Sequence, residues 1–125
     1  MKLEWNDSYC VGDDMIDQQH QRMFELANAT YDTQDQVALR LAVMRLYQHV
    51  REHFADEESL MRKVVFPGYA EHVAAHNRML SALNAVSRSI GRNEANPEQI
   101  SALLMDWTLN HIPVADAQLA GYVRG

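Results

Sequence analysis

The chain has 125 residues, 47% hydrophobic and 22% charged, with 11 Lys and Arg against 17 Asp and Glu for a formal net charge of -6. That length holds one core and not two, and the composition is that of a folded globular chain rather than a disordered one. An acidic balance without a basic cluster disfavours nucleic acid and anionic membranes as partners.

No stretch is long and apolar enough to span a membrane, the start MKLEWNDSYC lacks a secretion-signal pattern, and Cys10 is the single cysteine. A cytoplasmic monomer without an intrachain disulfide is therefore expected, with Cys10 as a small buried hydrophobe. Residues up to about Met15 read as an irregular arm anchored by Trp5, Tyr9 and Val11, with Gly12 as a turn. A first helix is predicted from near Ile16, where Ile16, His20, Met23 and Ala27 recur at helical spacing and set His20 on the inward stripe.

The polar run 32–35 is a short connection of the kind that joins antiparallel helices. A second helix is predicted to about Val65. Its seam alternates fours and threes through Leu39, Val43, Leu46, Val50, His53, Glu57, Leu60 and Val64, so an imidazole and a carboxylate occupy core positions. Phe66, Pro67 and Gly68 break it, since proline lacks an amide hydrogen and glycine tolerates the dihedrals of a tight turn. The third helix, about Tyr69 to Ile90, repeats the pattern with Tyr69, His72, His76, Met79, Leu83, Val86 and Ile90. A loop from Gly91 to Pro97 follows, and Pro97 suits the first turn of a fourth helix. Its seam is Ile100, Leu104, Trp107, His111 and Val114. Asp116 lies five residues beyond His111, off the face of a straight helix, and a bend at Pro113 is expected to bring it round. The fold class is all-α, an up-down-up-down four-helix bundle with an irregular N-terminal arm.

The inward polar set is His20, His53, Glu57, His72, His76, His111 and Asp116. Unpaired in a dry core, such groups cost several kcal/mol each, and a bound metal removes that penalty. Structural zinc takes four ligands, so one ion leaves buried groups unexplained. Two six-coordinate metals bridged by both carboxylates and by an oxide or hydroxide use the whole set and keep one position open.

The motifs IDQQHQRMF, HFADEESLM, GYAEHVAAH and WTLNHIPVAD, with Trp5 near the start, resemble those of the hemerythrin family, specifically the bacterial single-domain kind, along nearly the whole chain. The resemblance implies one domain over residues 1–125 with a non-haem di-iron centre. His72, His76 and His111 would hold one iron and His20 and His53 the other, bridged by Glu57 and Asp116. Dioxygen would bind at the iron with two histidines, for storage, delivery or sensing. Two positions depart from the family pattern: Thr108 stands where leucine is usual and Leu119 where tyrosine is usual, which brings a hydroxyl toward the oxygen pocket and changes how the C-terminal tail docks.

Met23, Phe54, Trp107, Thr108 and Ile112 are the expected walls of the oxygen pocket, and most also serve the core. His49, beside the seam, is expected to support the site or face the surface rather than bind metal. Glu58 is expected to be a solvated carboxylate. Oxygen-activating di-iron enzymes present paired Glu-x-x-His motifs, and no Glu of this chain is followed three residues later by His, which favours binding over catalysis. A sensory module of a larger signalling protein, weak di-iron oxidase or peroxidase chemistry, and a zinc-stabilised or metal-free bundle are the competing readings.

Overall fold

The computed structural model describes residues 2–92 and 97–125; the central part of the expected loop after Gly91 and the side chain of the expected seam residue Ile90 lie outside what is described. Four long helices, α1 (Asp14–Ala29), α2 (Gln36–Lys63), α3 (Tyr69–Gly91) and α4 (Pro97–Asn110), are followed by a π turn (Ile112–Asp116) and a short α5 (Ala117–Arg124). No strand occurs among the described residues. Helix α2 packs on α1 and α3, and α4 packs on α1 and α3, which closes the square of an antiparallel bundle.

Local chemistry sets the helix starts. Asp13 caps α1 by accepting from the Ile16 amide at 3.0 Å, so α1 begins two residues before the expected Ile16. Asp35 caps α2 in the same way through the Ala38 amide at 2.8 Å. The turn from α2 to α3 differs from expectation in where its unusual backbone falls. Val65, not Gly68, takes the left-handed conformation, with φ 53°, while the Phe66 amide returns to the Met61 carbonyl at 2.9 Å. Gly68 is required for space instead: a Cβ there would stand 2.9 Å from the Phe66 ring.

The core runs along the predicted seams, with Ile16, Val43, Leu46, Val50, Leu83, Ile100 and Leu104 sealed from solvent. Two seam positions are corrected. Met61 rather than Leu60 is fully buried on α2, because a helix of 3.6 residues per turn drifts from a strict alternation of fours and threes. Val114 is 55% exposed, since the π turn rotates it outward and brings Asp116 in.

The arm (residues 2–13) crosses α1 and α4. Its backbone is held by side chains: Asn28 exchanges hydrogen bonds with both the amide and the carbonyl of Leu3 at 2.7 Å, and the Asp17 carboxylate accepts from Val11 and Gly12 at 2.7 and 3.2 Å. Trp5 meets Tyr9 and Phe24 edge to face, and Tyr9 lies tilted against Phe24. Cys10 is exposed rather than buried. The strand-like backbone there turns alternate residues to opposite sides, and Val11 takes the inward one. The tail docks despite the leucine at 119: Leu119 is fully buried, and Arg124 donates to the Val11 carbonyl at 2.9 Å.

Candidate metal centre

All seven polar seam residues are buried and converge near one end of the bundle, at the level of the α2–α3 turn. His20 comes from α1, His53 and Glu57 from α2, His72 and His76 from α3, His111 from the junction between α4 and the π turn, and Asp116 from the last position of that turn. That turn solves the five-residue spacing. Straight α-helix would set Asp116 about 140° round from His111, whereas a π turn completes its circuit with one more residue. The His111 carbonyl accepts from Ala115 at 2.8 Å and from Asp116 at 3.4 Å. The expected bend at Pro113 is thus a widening of the helix, and proline, which has no amide hydrogen to give to the α-helical ladder, sits inside it.

The geometry sorts the donors into two groups. His72, His76, His111 and Asp116 form one, and His20, His53, Glu57 and Asp116 the other, with candidate ligand atoms in each group within 4.8 Å of one another. Each carboxylate divides its oxygens between the groups. Glu57 Oε1 lies 3.0 Å from His72 Nε2 and 3.1 Å from His76 Nε2, while its Oε2 lies 2.7 Å from His53 Nε2. Asp116 Oδ1 lies 3.1 and 3.0 Å from His72 and His111 Nε2, and its Oδ2 is 3.1 Å from His20 Nε2.

Two histidines have their tautomer set from behind. His76 Nδ1 donates to Glu58 Oε2 at 3.0 Å, and His53 Nδ1 makes a short hydrogen bond to Gln19 Oε1. The Gln19 amide nitrogen donates to Asp56 at 2.8 Å, so its oxygen is the atom left to face His53. With the ring proton on Nδ1, each neutral Nε2 turns a lone pair toward the Glu57 carboxylate. Lone pairs facing an anion at such distances repel unless a proton or a metal cation lies between. His20 Nε2, His53 Nε2, Glu57 Oε2 and Asp116 Oδ2 are correspondingly buried without a hydrogen-bond partner. This donor set fits metal.

Without metal, protons take over part of that task. Burial pushes the Glu57 carboxyl up, yet the imidazoles of His53, His72 and His76 gathered round it outweigh that and hold the group well below the usual carboxylate range. Asp116 is lowered by His111, His20 and His72 against burial and the neighbouring Glu57 charge. Burial lowers His72, but Asp116 and Glu57 overcome it and raise the imidazole to about 9. Burial keeps His111 below its ordinary value.

The surrounding residues are distributed unevenly. Phe54 stacks on His76 with ring centres 3.8 Å apart, and Trp107 stacks on His111 at 3.6 Å. Met23, Thr108 and Ile112 are buried, and the Thr108 hydroxyl donates to the Leu104 carbonyl at 2.7 Å. That bond to the preceding turn occupies its proton. His49 reaches the Gln19 carbonyl at 3.0 Å and lies outside the two groups. Glu58 corrects the sequence reading: measured against its own helix it points away from His53, but it points toward α3 and holds His76. Gln19 was not singled out by spacing. The available signal was its place beside His20, at the boundary between α1 and α2.

The pattern of the Hemerythrin HHE cation binding domain matches residues 11–123. The chain belongs to the hemerythrin family. Among its relatives, the bacteriohemerythrin of Stenotrophomonas maltophilia is 28% identical, covering 98% of this chain and 82% of that one. The myohemerythrin of Riftia pachyptila is 30% identical, covering 94% and 90%. A crystal structure of wild-type hemerythrin superposes with a TM-score of 0.88 over 100% of both chains at 23% identity, which makes the bundle the hemerythrin bundle. No described helix is long and apolar enough to cross a membrane.

Proposed function

We propose that this hemerythrin binds dioxygen reversibly at a non-haem centre of two iron ions, as a cytoplasmic monomer serving oxygen storage, delivery or sensing. His72, His76 and His111 would hold one ion and His20 and His53 the other, with Glu57 and Asp116 bridging. The observation that carries this reading is the division of each buried carboxylate between two histidine groups, Glu57 through Oε1 and Oε2 and Asp116 through Oδ1 and Oδ2.

When bound, a ferrous pair supplies the electrons that dioxygen takes up on binding and returns on release. The chain's own residues decide how that chemistry is contained. The group around His20 and His53 has one imidazole fewer than the other, so an ion held there would be the one with room for a further ligand. Both carboxylates stay ionised in the dry core and offset the metal charge. Phe54 and Trp107 stack on His76 and His111 and fix those two rings of the fuller group in place. Met23 and Ile112, buried near His20 and Asp116 in sequence, would line the oxygen side with Thr108. The five-histidine, two-carboxylate donor set differs from the carboxylate-rich sites of oxygen-activating bundles, which supports binding over oxidation.

The direct test is to load metal-free protein with ferrous iron without air, count the metal, and then admit and withdraw oxygen. Two irons per chain and a visible absorption band that appears with oxygen and vanishes on its removal are expected. Irreversible bleaching, or turnover of a reductant over many cycles, would replace the binding reading with an oxidase one.

A further inference from the structure

The two metal positions differ not only in their donors but in what stands behind them. Gln19 follows the same plan as Glu58. Each is the sequence neighbour of a candidate ligand, His20 and Glu57 respectively, and each reaches across to orient a histidine on the next helix. Gln19 spans α1 to α2, and Glu58 spans α2 to α3. Their charges are unequal. Glu58 puts a carboxylate directly on His76 Nδ1 at 3.0 Å, with its side chain 23% exposed. Gln19 puts a neutral amide on His53, and the nearest carboxylate in that chain, Asp56, is one hydrogen bond further out on the exposed surface, where water screens it.

An anionic acceptor on one ring nitrogen raises the donor strength of the other. Resting on the two-metal reading above, we infer that Glu58 and the Gln19–Asp56 pair are positioning residues of unequal strength, which make the site around His72, His76 and His111 bind metal first and keep the His20 and His53 site the weaker one. A weaker, less electron-rich metal position on the side with room for a further ligand keeps that ion exchangeable in its ligands, as reversible oxygen binding needs. Donor count favours the same order, so exchanging the supporting charges is what isolates their part.

Cobalt(II) is the probe, titrated into metal-free full-length protein and followed by its visible ligand-field bands and by calorimetry. The wild type is expected to take two ions in two resolved steps. Glu58→Gln keeps the shape and removes the charge, and is expected to weaken the first step by about ten-fold or more while sparing the second. The double exchange Gln19→Glu/Asp56→Asn keeps both hydrogen bonds and moves the carboxylate onto His53; it is expected to tighten the second step by about ten-fold and draw the two together. In the cobalt-loaded protein each variant should move the paramagnetically shifted ring N–H resonance of its own histidine, His76 or His53, and leave the other in place. A merely structural role would shift both resonances or neither. Two ions bound with both steps changed equally, or unchanged, overturns this inference and leaves the two-metal reading standing. A wild type that binds one ion or none overturns both.

Discussion

At the scale of single residues, Glu57 is the side chain on which most of the site depends, because its two oxygens face His72 and His76 on one side and His53 on the other. Glu57→Ala removes a bridging donor from both proposed positions at once, so iron content after reconstitution is expected to fall from two to one or fewer per chain, read by elemental analysis. Retention of two irons with normal oxygenation would remove the bridging role. His72 gives the metal-free protein an alkaline pH dependence. Its imidazole is raised to about 9 from an ordinary value of 6.5, so the folded state holds that proton more tightly than the unfolded chain. The stability it contributes is complete below 6.5 and disappears as pH rises through about 9. Urea unfolding of metal-free wild type and His72→Gln, compared near about pH 6 and about pH 10, should show a stability difference that shrinks at the higher pH. A constant difference would mean that His72 acts through packing alone. Six of the seven polar residues were legible in the sequence because each interrupts an apolar stripe, and Asp116 through the bend expected at Pro113. Gln19 and Glu58 were not, since each acts on a neighbouring helix, and spacing within one helix carries no record of the next.

At the scale of elements, the helix seams were readable from periodicity, and the departures come where periodicity itself changes. Met61 takes the buried place expected for Leu60 through ordinary helical drift. Asp116 replaces Val114 because five residues fit one π turn, a geometry that an α-helical reading does not anticipate. Deleting the exposed Val114 together with Pro113→Ala, which restores the amide hydrogen that α-helix needs there, should therefore be tolerated. His111 and Asp116 would then stand four apart in plain α-helix, on one face, and metal content should stay at the wild-type level. Inserting an alanine after Val114 instead swings Asp116 off that face and is expected to abolish binding at one position. Loss of metal in the deletion would show that the π turn does more than set the spacing. Val65 offers a separate test, for stability rather than metal. A β-branched residue at φ 53° is strained, and its side chain is 79% exposed and packs little. Val65→Gly is expected to stabilise the protein by about 1 kcal/mol in chemical denaturation, because glycine suits the left-handed position that ends α2.

At the scale of the molecule, the bundle divides along its length into an apolar end and a polar one, and the two should respond differently to loss of metal. Val43, Leu46, Leu83, Ile100 and Leu104 are buried in the apolar core, away from the proposed ligands in sequence and on three of the four helices. At the other end, the layer built from His20, His53, Glu57, His72, His76, His111 and Asp116 has orphaned nitrogens and oxygens in its centre. A ligand bound only by the folded state stabilises it by mass action, and here it would join donors from α1, α2 and α3 to His111 and Asp116 at the end of the fourth helix. Removing it should leave helical circular dichroism near the native level at neutral pH, since the apolar layers and the arm, held by Asn28 and Asp17, are untouched. The thermal midpoint should fall. Amide exchange locates the loss: protection is expected to drop around 53–76 and 111–116, while amides near Val43, Leu46, Leu83 and Leu104 keep theirs, as local opening allows one region to loosen before the rest. A uniform drop along every helix would mean instead that the metal layer and the apolar layers unfold as one cooperative unit, and that the hydrophobic end cannot stand without the polar one.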